Sequence, residues 1–157
     1  MQNKLISRIS MAATPFMIVC GVLASGGLAH AGVSCHLINA KAVGQDLGAG
    51  STTANIIGGG LLQGTTAGSI AITGFAFPVA SFVETLTFTN QNGTLTVVVT
   101  GAIDVTTGQF NASGPVTAAT GKLAGATGNL SLSGQANFAT AIFSEDISGA
   151  VCVDLAH

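Results

Sequence analysis

From Ser51 onward apolar and polar side chains alternate with a period of two, which restricts this chain to pleated strands. Leu95, Val97, Val99, Gly101, Ile103 and Val105 fall on one face, with Thr94, Thr96, Thr100 and Asp104 on the other. Phe82, Leu86 and Phe88 alternate in the same way with Val83, Thr85, Thr87 and Thr89. Residues 69–73 and 129–133 are shorter copies of the pattern. Threonine suits the outer face of such strands because its branched Cβ is already stiff at χ1. No window supports an amphipathic helix, since a glycine every few residues would cost about 1 kcal/mol each in one.

Turn chemistry separates the runs. Asn90-Gln91-Asn92-Gly93 carries an Asn-Gly pair between two strong strands, and Thr106-Thr107-Gly108 plays the same part before Phe110. Gly58-Gly59-Gly60 and the stretch from Gly44 to Gly50 read as further breaks or bulges, and residues 138–143 as an apolar strand. Seven or eight short strands result, with Leu95, Val97, Val99 and Ile103 turned inward. The fold class is all-β, a single antiparallel barrel or sandwich. An outer-membrane barrel is rejected, because its aromatic girdles require tyrosine and tryptophan and the chain has neither.

Residues 1–31 read as a secretory signal peptide: Lys4 and Arg8 form a positive start, an apolar stretch follows, and Ala29-His30-Ala31 offers a small-x-small cleavage pattern. The apolar run is shorter than the ~20 residues a spanning helix needs. The expected mature chain, residues 32–157, has the length of one domain and a secreted or periplasmic destination. It keeps only two cations, Lys41 and Lys122, against six carboxylates. That balance excludes a nucleic-acid partner, because no basic cluster is present to displace counterions from phosphates. Cys35 and Cys152 stand near the two ends and read as one disulfide in an oxidising compartment, with free thiols or an intermolecular bridge as alternatives.

Ionisable groups are so scarce that few catalytic arrangements are open. No Gly-x-Ser-x-Gly elbow precedes a helix, and Gly58-Gly59-Gly60 lacks the lysine and helix of a phosphate loop. His36, Asp154 and His157 do not make a metal set with the usual three or four ligands, and His36 reads as solvated. No cofactor is expected. Glu84 is the most informative polar residue. Strict alternation places it with Phe82, Leu86 and Phe88 inside the barrel, where an unpaired carboxylate acquires a raised pKa and the look of a ligand-orienting group. A bulge near Ala80-Ser81 would instead shift the register and carry Glu84 to the rim, because a one-residue slip reverses every side chain. The rim placement is marginally favoured, and both stay open.

The segment Thr120-Gly121-Lys122-Leu123-Ala124-Gly125-Ala126-Thr127-Gly128, followed by an alternating strand, resembles the glycine-rich turn of the allene oxide cyclase and dirigent barrel superfamily. Gly64-Thr65-Thr66-Ala67-Gly68-Ser69, the Phe77-Pro78 break and the closing Gly149-Ala150-Val151-Cys152-Val153 are similar in order. The resemblance implies an eight-stranded barrel with an apolar central cavity, and a trimer by analogy with the plant members. It transfers no catalytic residue to this chain. Three function classes follow. The leading one is a non-enzymatic exported barrel that binds a small apolar ligand through Glu84, Phe82, Leu86 and Phe88, or serves structurally. The others are a cofactor-free cyclase- or dirigent-like barrel that shapes a reactive apolar substrate, and a fimbrial or adhesive subunit.

Overall fold

The computed structural model describes residues 32–154. The expected signal peptide, 1–31, and the last residues, 155–157, lie outside the described residues. Eight antiparallel strands form a closed up-and-down barrel: β1 (Ser34–Gly48), β2 (Ser51–Gly58), β3 (Thr65–Ala76), β4 (Val79–Asn90), β5 (Gly93–Asp104), β6 (Gln109–Ala119), β7 (Thr127–Asn137) and β8 (Ile142–Val153). Each pairs with its sequence neighbours, and β8 returns to β1 to close the ring. Closure removes the free strand edges that an open sheet would expose.

The alternation read from the sequence sets the two faces. Ile38, Ala40, Ile56, Phe88, Leu95, Val97, Val99, Leu130, Ile147 and Val151 are buried inside. Outside, Asn39, Lys41, Thr53, Asn55, Asn111, Ser113, Asn129, Ser131, Ser133, Ser144 and Asp146 face solvent, with Lys41 ion-paired to Asp146 across the β1–β8 seam. Leu37, Val43, Ile57 and Val79 are exposed on the same outer face. Among the described residues no helix is long and apolar enough to cross a membrane.

Cys35 and Cys152 face each other in the β1–β8 register and form a disulfide. The bridge locks the β1–β8 seam and spans 117 residues of chain, which stabilises the fold by about 4–5 kcal/mol in the chain-entropy account. Two short 3-10 turns, Gly60–Leu62 between β2 and β3 and Gly121–Leu123 between β6 and β7, plug one end of the barrel. Their leucines, Leu62 and Leu123, are fully buried in the core cluster. Gly121 takes a left-handed φ of 63° and lies against the Asn92 backbone, where an added Cβ would collide with it, so the turn tucks its leucine inward only with glycine there.

Two expected breaks move. Gly44 lies inside β1, paired with Ala54 and Phe143, and the expected break or bulge falls later in the stretch, as a register shift between Asp46 and Gly48 and the turn at residues 48–50. An inward Cβ at Gly44 would strike Ala54 and Phe143, so glycine here makes room in the barrel wall and does not end a strand. Residues 138–141 form the β7–β8 turn, and the strand starts only at Ile142. Asn137 caps that turn by accepting from the Ala139 and Thr140 backbone N–H groups, which outweighs the strand preference of Phe138.

Candidate functional site

Opposite the plugged end the barrel is open, framed by the β1–β2, β3–β4, β5–β6 and β7–β8 turns. Small residues occupy several inward positions there: Ala80, Ala112 and Ala136 line open space, while Gly44 and Gly134 make room for the rings of Phe143 and Phe110. The space left is a cavity of about 480 Å³, within the usual range for small-molecule sites. Ile70, Phe82, Leu86, Ile103, Phe110 and Phe143 give it an apolar wall.

Glu84 projects into this cavity from β4 and is 9% exposed. The bulge that would have carried it to the rim is present on the neighbouring strand: the register of β3 shifts between Ile72 and Gly74, while β4 keeps strict alternation from Ala80 to Phe88. Thr52 on β2 reaches over Gly68 and donates its hydroxyl to Glu84 Oε1 at 3.1 Å. Gly68 is required for that bridge, because a Cβ there would overlap both Thr52 Oγ1 and Glu84 Oε1. Burial raises the Glu84 pKa above the ordinary carboxylate range, and the Thr52 hydrogen bond pulls it partly back.

A second carboxylate, Glu145 on β8, shares the cavity and is 8% exposed. It accepts no hydrogen bond from the described residues, and burial, followed by the nearby charge of Glu84, pushes its pKa up to about 8. A value near 8 leaves Glu145 protonated at neutral pH, in the same chamber as Glu84.

Sequence reasoning singled out Glu84, Phe82, Leu86 and Phe88 and passed over Glu145. Glu84, Phe82 and Leu86 line the cavity, whereas Phe88 lies deeper, fully buried in the plugged half, and is a core residue. The missed signal was present: Phe143, Glu145, Ile147, Gly149, Val151 and Val153 share one parity, and Glu145 is the charged member of an otherwise apolar or glycine row. His36 corrects another expectation. It points inward near the plug, and its Nε2 is buried without a hydrogen-bond partner, so it is not a solvated histidine. Among the described residues no three His, Cys, Asp or Glu side chains converge as a metal set.

Exposed apolar side chains surround the mouth. Leu47, Ile72, Phe75, Phe77, Phe138 and Ile142 are each at least half exposed there. Comparison with known proteins returned no match to a family, to a curated protein or to a solved structure.

Proposed function

We propose that this protein is an exported, non-enzymatic carrier or binding barrel for a small apolar molecule, which enters through the open mouth and is oriented by Glu84 and Glu145. The observation that carries the reading is the pairing of an apolar cavity of about 480 Å³ with two carboxylates turned into it, Glu84 and Glu145, the second accepting no hydrogen bond from the described residues. A chain that needed only stability would fill that space with leucine and valine, as it does in the plugged half, because drawing carboxylates out of bulk water is costly. The apolar rim supports a ligand arriving from a nonpolar source. The disulfide accords with an oxidising destination, secreted or periplasmic. A kinship with the allene oxide cyclase and dirigent barrels, and with it a trimer, is part of this proposal. It rests on the glycine-rich turn at residues 120–128, whose leucine plugs the barrel.

The paired carboxylates also favour a second reading, a cofactor-free cyclase-like barrel. Two carboxylates held in different environments within a single chamber, Glu84 hydrogen-bonded to Thr52 and Glu145 with its pKa raised to about 8, are the arrangement general acid–base chemistry uses. A fimbrial role is less suited, since a closed ring offers no strand edge for a donated strand.

Native mass spectrometry of protein purified from its own host tests the binding reading. A retained apolar ligand at one copy per barrel is expected. Uniformly empty protein that also fails to take up apolar compounds would overturn it.

A further inference from the structure

The ligand's apolar body is given by the cavity walls, but its polar end is specified by the groups facing it. The ionisable side chains lining the cavity are Asp46 from β1, Glu84 from β4 and Glu145 from β8. The other strands contribute none, and the polar neighbours are Thr52 and Asn137. Both described lysines are elsewhere. Lys41 is engaged by Asp146 on the outer wall, and Lys122 sits in the 3-10 turn at the plugged end. The chamber thus has Asp46 and Glu145 on the adjoining strands β1 and β8, Glu84 on β4, and no lysine or arginine in its lining.

We propose that the cavity takes an apolar amine in its protonated form, with the ammonium group seated between Glu84 and Glu145. This inference rests on the apolar-ligand reading and specifies the headgroup. An ammonium brings three N–H donors and no acceptor. Glu84 spends one acceptor position on Thr52 and retains others, while Glu145 has all of its positions open. A neutral alcohol offers one donor and leaves most of these acceptors unmet. A carboxylate ligand would bring a third negative charge against the pair. Asp46 at the mouth has the sign that draws a cation inward.

Proton balance makes the inference measurable. At neutral pH Glu145 holds a proton that burial and Glu84 keep on it. Seating an ammonium replaces that proton: the ammonium keeps its own three hydrogens, the Glu145 O–H bond breaks, and its proton leaves to solvent. Binding should therefore strengthen as pH rises, by up to about tenfold per unit, and level off near pH 8 where Glu145 ionises unaided. It should weaken again only when the alkylammonium itself deprotonates.

The test compares decylamine, decanol and decanoate by isothermal titration calorimetry, repeated in buffers of different ionisation enthalpy. The expected result is that decylamine binds at least tenfold more tightly than decanol at pH 8 and releases close to one proton at pH 7. Glu145→Gln should then bring the amine's affinity down toward the alcohol's and remove its rise with pH. The wild-type comparison stands even if that variant folds poorly. Equal binding of amine and alcohol without proton release would overturn the inference and leave the apolar-ligand reading intact, as would tightest binding of decanoate. No binding of any of the three would remove both.

Discussion

Nearer the plug, the barrel interior holds Phe88, Leu95, Val97, Val99, Leu130, Ile147, Val151 and Val153, each almost fully excluded from solvent. Toward the mouth, the same strands turn inward Ala80, Ala112, Ala136 and two carboxylates between walls such as Phe82, Ile103, Phe110 and Phe143, which leave the centre unfilled. Both halves share one closed antiparallel ladder, and register shifts occur in each, on β1 and β3 toward the mouth and between β5 and β6 nearer the plug, so strand pairing does not distinguish them. Side-chain volume does. The plugged half spends its apolar residues on packing and keeps the ring rigid. The open half gives up that packing for a chamber, and the plugged half together with the disulfide must hold its walls in place.

Removing the disulfide challenges this division most strongly. Cys35→Ser with Cys152→Ser should lower stability by about 4–5 kcal/mol, read by denaturant unfolding, because the β1–β8 seam then closes without a covalent link. Phe88→Ala should follow, at about 3–5 kcal/mol, since it opens a void in the packed half. Ala136→Phe, in the half-buried lining near the mouth, should change stability by less than about 1.5 kcal/mol, because it enters space that already exists. If Phe88→Ala and Ala136→Phe had equal effects, the contrast between the halves would be lost.

The carboxylates give the open half a pH signature. Glu145 has its folded pKa raised from an ordinary 4.5 to about 8, and Glu84 is raised as well. The folded state thus binds protons more tightly than the unfolded chain across that interval. Stability of the empty protein should be greatest below about pH 4.5, fall by up to a few kcal/mol as pH rises to about 8, and then flatten. Thermal unfolding across that range checks the slope, and Glu145→Leu should flatten it and stabilise the protein at pH 7. Gly68→Ala should have a smaller effect, about 1–3 kcal/mol, by forcing Thr52 and Glu84 apart. Carboxyl NMR should then show the Glu84 titration moving up, since its one hydrogen-bond donor is lost.

Much of this was legible in the chain itself. The two-residue period from Ser51 onward carried the strands, Asn92-Gly93 and Thr107-Gly108 marked two of the hairpins, and the cysteine positions anticipated the seam. β1 was obscured because Gly44 and Gly48 look like breaks, although Gly44 is an inward position thinned to fit Phe143. The direction of Glu84 was ambiguous because a bulge on β3 and a bulge on β4 leave the same local sequence signal, and only pairing across strands separates them. Glu145 escaped notice because its relation to Glu84 is purely spatial: the two lie on β4 and β8, which do not pair with each other.

The central claim is that the open half is an accessible apolar chamber, and titration with a neutral apolar dye such as N-phenylnaphthylamine tests it directly. The account predicts saturable fluorescence enhancement at one dye per barrel for the wild type, and at least tenfold weaker binding for Ala136→Phe, whose ring occupies the chamber. Equal enhancement in both proteins, or none in either, would contradict it.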